Sequence, residues 1–182
     1  QTAMGLKDIE SGQPLAPDSI FRVFSMTKPV TASAMMILHD QGLWDLDDPV
    51  SRHLPEFADL HVFVERRPDG EIVTEPAERG PTMRELMTHT AGLGYGLQPG
   101  APVDDLYRQA RVWKSANLAE LSARVASLPL AYQPGASWAY SIGMDIQGAI
   151  IERLSGQSLP DFMREKIFGP LGMVDTDFHT PP

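Results

Sequence analysis

The chain has 182 residues, 42% hydrophobic and 21% charged, a composition that fits a globular protein with one core or with parts of two. A net charge of −9 with no basic patch argues against nucleic-acid binding, and no run approaches the roughly 20 apolar residues of a membrane span. The lack of cysteine excludes disulfides and thiol catalysis.

In chain order, "QTAMGLKD" reads as a short strand and "ESGQPLAPD" as a turn-rich link. No signal peptide opens the chain, and the abrupt start is expected to lack a preceding piece. "VFSMTKPV" then opens a helix over residues 25–41, apolar at Val30, Ala34, Met35, Ile37 and Leu38 and stopped by Gly42. "LWDLDDPVSRHLPEF" reads as loop with short helical turns. "HVFVERRPDGEIVTEPA" alternates on both sides of Pro68-Asp69-Gly70, which predicts a β-hairpin. "PTMRELMTHTAGL" carries Thr82 and Glu85 in capping-box spacing, and "APVDDLYRQARVW" predicts a short helix. A second capping box, Asn117 with Glu120, starts a helix with Leu118, Leu121, Val125 and Leu128 on one face. "IGMDIQGAIIERLSG" is a strong amphipathic helix closed by Gly156, and "SLPDFMREKIFGPLGM" is another with Ser158 as its cap. No repeat or low-complexity tract occurs, and the strands are too few to complete a sheet.

The chemistry-bearing residues are few. The histidines (His39, His53, His61, His89 and His179) show no i,i+3 or i,i+4 pairing and no H-E-x-x-H, so neither a metal nor a cofactor is expected. No G-x-S-x-G elbow or phosphate-binding glycine motif is present, and "GLGYG" follows a helix instead of opening one. What remains is Ser25-x-x-Lys28. On a helix starting near Ser25, Lys28 returns over the serine hydroxyl, and Pro29 fits the first turn. A helix N-terminus favours the anionic alkoxide and oxyanion that a nucleophilic serine needs. A plain cap serine with a solvated lysine fits the same string, and the motif alone leaves both open. A base other than histidine must serve, either a lysine or a tyrosine with a stabilised phenolate. Tyr140 and Ser141 stand directly before a helix in the apolar stretch "PGASWAYSIGMDIQG", where a buried structural tyrosine is the alternative.

Taken together, "PDSIFRVFSMTKPVTASAMMILHDQGLWDLDDPVSRHLPEF", "RELMTHTAGL" and "QPGASWAYSIGMDIQGAIIERLSGQSLPDFMREKIFGPLGM" resemble, in order, the serine β-lactamase and penicillin-binding-protein superfamily. The nearest likeness is to class C β-lactamase-like esterases, the family VIII carboxylesterases. The resemblance implies an α+β, β-lactamase/transpeptidase-like fold, with the mostly helical domain present, one small hairpin inserted, and most of the antiparallel sheet missing. It divides the chain into residues 1–24 at the edge of the α/β domain, 25–156 as the helical domain with a hairpin near 61–75, and 157–182 leading back. It also implies Ser25 as the acylated nucleophile, Lys28 as the lysine that helps take its proton, and Tyr140 as base and then acid. Ser141 and Tyr95 are candidate substrate contacts, and Trp113 and Tyr107 candidate pocket residues. "THTAGL" reads as support for the site.

Two departures shape the expected function. Ile142 stands where β-lactamases carry an asparagine that positions the substrate's amide side chain, and Asp145 follows in the pattern of the esterase branch, where it is expected to hold the helix start or a nearby loop. The chain stops at "DTDFHTPP", before the family's third motif and second oxyanion donor, so these residues alone are expected to be inactive. The implied activity is hydrolysis of short-chain carboxylic esters through an acyl-enzyme. The alternatives are a β-lactamase or D-alanyl-D-alanine carboxypeptidase, an acyltransferase, and a non-catalytic penicillin-binding-like module. Expected partners are a small-molecule ester or β-lactam and a second polypeptide if one completes the sheet, with no nucleic acid. Localisation is open, with the cytoplasm slightly favoured over the periplasm or secretion. Met35, Met36, Met87, Met144 and Met163 are expected in core packing.

Overall fold

Hydrophobic spacing sets the arrangement of the helices in the computed structural model, described here for residues 2–179. Helix α1, Thr27–Asp40, buries Thr31, Ala34, Met35 and Leu38, which recur every three or four residues on one face. That face packs on α5, Gly143–Ser155, whose Ile146, Ala149, Ile150 and Ile151 are all buried. Burying an isoleucine or leucine side chain contributes about 1.5–3 kcal/mol, so this pair anchors the core. Helices α2 (Met83–Met87), α4 (Leu118–Ala126) and α6 (Leu159–Met163) pack around α5, and α3 (Pro102–Gln109) lies at the periphery. Gly148 allows the close approach of α4 and α6 to α5. A Cβ there would stand 3.0 Å from Leu159 Cδ2 and 3.1 Å from Leu118 Cδ1.

Short 3₁₀ segments, a π-helical turn at Arg164–Phe168 directly after α6, and four short strands complete the described elements. Strands β1 (Leu6–Asp8) and β2 (Gln13–Pro14) form one antiparallel hairpin, so the predicted turn-rich link carries the return strand. Strands β3 (His61–Arg66) and β4 (Ile72–Pro76) form the second, at the place predicted from Pro68-Asp69-Gly70, with an irregularity between Phe63 and Glu65. Residues 2–24 contain no buried side chain, and Met4, Leu6, Ile9, Ile20, Phe21 and Val23 are exposed. Leu171, Met173, Val174 and Phe178 are likewise exposed near the other end.

The caps follow the sequence with one exception. Thr82 accepts the Glu85 N–H while Glu85 accepts the Thr82 N–H, a complete capping box. Ser158 caps α6 by accepting the Asp161 N–H. Asn117 accepts the Glu120 N–H, but the Glu120 carboxylate turns to the Ala116 N–H and to Arg124. The second box is therefore only half formed, because the arginine one turn on draws the carboxylate. Met35 and Met163 are core residues as expected, whereas Met36 lies on the outer face of α1 and is exposed.

Candidate active site

Pro29 decides how Ser25 is presented. It has no N–H to donate to the Ser25 carbonyl, so the α-helical ladder cannot include that residue. Instead, Phe24–Met26 form a 3₁₀ turn and the α-helix begins at Thr27, two residues later than the predicted start. Phe24 has φ 46°, a left-handed conformation that costs a non-glycine residue about 1–3 kcal/mol. Ser25 thus projects from a strained turn at a helix start.

One helical turn on, Lys28 Nζ donates to Ser25 Oγ at 3.3 Å. From the far side, Tyr140 Oη meets Ser25 Oγ at 2.6 Å. The Lys28 ammonium also stands 4.3 Å from the centre of the Tyr140 ring. Lys28 beside the phenol, and then the Ser25 hydroxyl, hold Tyr140 below its ordinary pKa of 10.0 by favouring phenolate. A serine hydroxyl, a lysine amine and a tyrosine phenol therefore lie within contact of one another. Tyr140 is 39% exposed, so the cluster is open to solvent.

The remaining predicted residues fall into two groups. Tyr95 reaches the site, with its ring edge-on to Tyr140 at 5.4 Å and to Trp113 at 5.2 Å. It is fixed by its own N–H on Asp104 Oδ1 and by Trp113 Nε1 on its carbonyl. Burial raises the Tyr95 phenol, keeping it neutral beside Tyr140. Ser141 does not face the opening. It is 2% exposed, and its hydroxyl is engaged by His89 Nδ1 at 2.9 Å and by the Gly143 N–H at 3.3 Å. Tyr107, expected near a pocket, lies in α3 with its side chain buried in the hydrophobic core. Ile142 is fully buried, so the position of the β-lactamase asparagine sends no side chain to the site.

Asp145, in the first turn of α5, is raised above its ordinary value by burial, although Lys28 pulls it down. Of the two roles expected for it, it stands at the helix start, where its own N–H also lowers the carboxyl, whereas no hydrogen bond from its carboxylate to a neighbouring loop is found among the described residues. His89 was legible only as part of a supporting motif. It stacks on Tyr140 with ring centres 5.1 Å apart, and its φ of 60° is left-handed. Among the described residues no group of histidine and carboxylate side chains could hold a metal ion, and no helix is long and apolar enough to cross a membrane.

Known proteins resemble this chain over nearly its whole length. A family model described as Beta-lactamase matches residues 1–182. Esterase EstB of Burkholderia gladioli is 39% identical over 181 residues, which span 97% of this chain and 43% of EstB. Acyltransferase calJ of Penicillium decumbens is 35% identical over 171 residues, 92% of this chain and 40% of that protein. Among solved structures, EstCE1, described as a hydrolase with promiscuous acyltransferase activity, superposes with a TM-score of 0.78 at 32% identity, over 97% of this chain and 44% of its own. The chain therefore spans less than half the length of these relatives. Its helices and two small antiparallel sheets form part of the α+β fold of these proteins.

Proposed function

The chain belongs to the beta-lactamase family, and on that premise we propose that it carries the nucleophilic half of a carboxylesterase working through an acyl-enzyme. The carrying observation is the Ser25–Tyr140 contact of 2.6 Å with Lys28 beside both. Tyr140, held toward phenolate, takes the Ser25 proton as Oγ forms a bond to the ester carbonyl carbon. The negative charge moves to the carbonyl oxygen, where the Ser25 N–H at the helix start is one donor. Collapse breaks the bond to the alcohol oxygen, which receives the proton back from Tyr140. Water then attacks the acyl-serine by the same path in reverse.

Esters are favoured over β-lactams because Ile142 is buried where an amide-positioning asparagine would be needed. Acyl transfer to an alcohol is the second reading, supported by the relatives named for acyltransferase activity. We assign residues 1–24 and 157–182 to the boundary with an α/β part and 25–156 to the helical part. The exposed apolar residues at 4–26 and 171–178 support this, as surfaces for a further sheet. The relatives carry the matching segment within one longer chain, which lends no support to a second polypeptide.

The test uses the full-length protein and a serine-directed fluorophosphonate. One adduct on Ser25, faster turnover of a p-nitrophenyl ester than of nitrocefin, and loss of both labelling and turnover in Ser25→Ala are expected. Undiminished turnover in Ser25→Ala would reject the assignment.

A further inference from the structure

His89 holds the segment containing Tyr140 at three consecutive residues. Its carbonyl accepts the Ala139 N–H at 3.0 Å. Its ring stacks on the Tyr140 ring, the two planes 23° apart. Its Nδ1 accepts the Ser141 N–H at 3.2 Å. The Ser141 hydroxyl settles the tautomer. That oxygen accepts the Gly143 N–H, leaving its own proton free to point at His89 Nδ1, 2.9 Å away. Two donors converging on Nδ1 require a bare nitrogen there, so the imidazole is neutral with its proton on Nε2.

The backbone is shaped for this contact. His89 has φ 60°, which few side chains tolerate, and in that conformation its carbonyl and its ring both engage the segment 139–141. Tyr132 Oη adds a second donor to the same carbonyl, at 3.4 Å. The groups facing the ring are Tyr140, Ser141, the edge of Trp138 and, from α1, the Lys28 ammonium.

We propose that His89 is a positioning residue for Tyr140 and does this work only as the neutral Nε2–H tautomer, which makes it an acid-side switch on acylation. The proposal rests on Tyr140 acting as base for Ser25. Protonating Nδ1 places a third donor against the Ser141 N–H and hydroxyl, which breaks the clamp and brings a cation toward Lys28. Burial, and then Lys28, lower His89 below its ordinary 6.5, so the clamp stays intact at neutral pH.

The experiment follows kcat/KM for p-nitrophenyl butyrate against pH in the full-length protein and two variants. In the wild type, protonation of Tyr140 gives a fall of one order per pH unit. At a pH lower than 6.5, where the lowered His89 takes its proton, that fall steepens to two orders. Asparagine tolerates the left-handed φ and offers its amide oxygen near the Nδ1 position. His89→Asn is therefore expected to keep kcat/KM within about tenfold at neutral pH and to lose the steepening. His89→Leu has no acceptor and should lose about 10²-fold, mostly in kcat, the scale of misplacing a catalytic group by about 1 Å.

An unsteepened wild-type profile, or the same steepening in His89→Asn, overturns the proposal. So does a folded His89→Leu with wild-type kcat/KM, and if that variant does not fold, the His89→Asn profile decides. Failure of the underlying reading shows separately, as turnover surviving in Ser25→Ala.

Discussion

The Lys28 ammonium lies 4.3 Å from the centre of the Tyr140 ring, and this proximity keeps the phenol below its ordinary pKa of 10.0. The sign is that of a cation stabilising an anion, so the basic form of Tyr140 appears at lower pH than in water. Replacing Lys28 with methionine keeps most of the side-chain length and removes the charge. The Tyr140 phenol then returns toward 10.0, and the pH profile of kcat/KM moves to the alkaline side. At neutral pH the loss is expected to be about 10²–10⁴-fold, the usual contribution of a positioned base. Steady-state assays across pH with a p-nitrophenyl ester check this. A Lys28→Met profile with an unshifted midpoint would place the control of Tyr140 elsewhere.

A second expectation concerns stability. Glu85 accepts from Arg79 at 2.5 and 2.8 Å and from the Thr82 N–H at 2.8 Å, tying the start of α2 to the preceding loop. Arg79 also donates to the Pro134 carbonyl, which brings in the segment leading to Tyr140. Hydrogen bonding from Arg79 first, and also from Thr82, holds the carboxyl below its ordinary 4.5, against the effect of burial. A lowered carboxyl stabilises the fold above 4.5, and that stabilisation is lost as pH falls through the folded value. Glu85→Gln should cost about 1–2 kcal/mol at neutral pH, at the low end for bonds to charged groups because Arg79 is half exposed. Denaturant titrations at neutral and acidic pH test it. A loss that persists unchanged after the carboxylate is protonated would contradict the electrostatic account.

These two cases show what could be read from sequence. The Thr82–Glu85 box and the β3–β4 hairpin depend on neighbours within a few residues, so their spacing carries the signal. The meeting of Ser25 with Tyr140 joins positions 115 apart and came only through the family resemblance. His89 was harder still, because its left-handed φ suits glycine or asparagine and its acceptor role exists only once Ser141 is beside it. Ser141 was misplaced for the related reason that its hydroxyl is taken by His89 and Gly143. The Asn117–Glu120 box failed where a competing partner, Arg124, lay one turn away.

The turn after His89 gives a third expectation. Gly92 has φ +82°, and a Cβ there would stand 2.4 Å from the Tyr132 carbonyl oxygen, which is backbone and cannot swing aside. Gly42 has φ +71° with nothing within 4 Å of such a Cβ. Gly42→Ala therefore reports conformational strain alone, about 1–2 kcal/mol. Gly92→Ala adds the clash and should lose at least about 2 kcal/mol more, in the range of overpacked sites. It should also lower p-nitrophenyl ester turnover in the full-length protein if the proposed function holds, since Tyr132 and the His89 carbonyl share the affected turn. Equal losses in the two variants by thermal or chemical melting would remove the clash as a cause.

The last expectation comes from Asp145, whose carboxyl is pushed above its ordinary 3.8 by burial, only partly opposed by its own N–H and by Lys28. A raised carboxyl means that the folded state holds a proton more tightly than the unfolded chain. Asp145 therefore favours folding most at low pH, and that advantage is lost as pH rises through the folded value. At neutral pH the ionised, partly buried carboxylate is a destabilising feature of the first turn of α5. Asp145→Asn keeps the shape and removes the charge, so it should melt at a higher temperature than the wild type at neutral pH. The gain should shrink below 3.8, where the wild-type carboxyl is protonated in both states. Calorimetry at the two pH values separates this from a tethering role. A tether through the charged carboxylate would make Asp145→Asn less stable at neutral pH, the opposite sign.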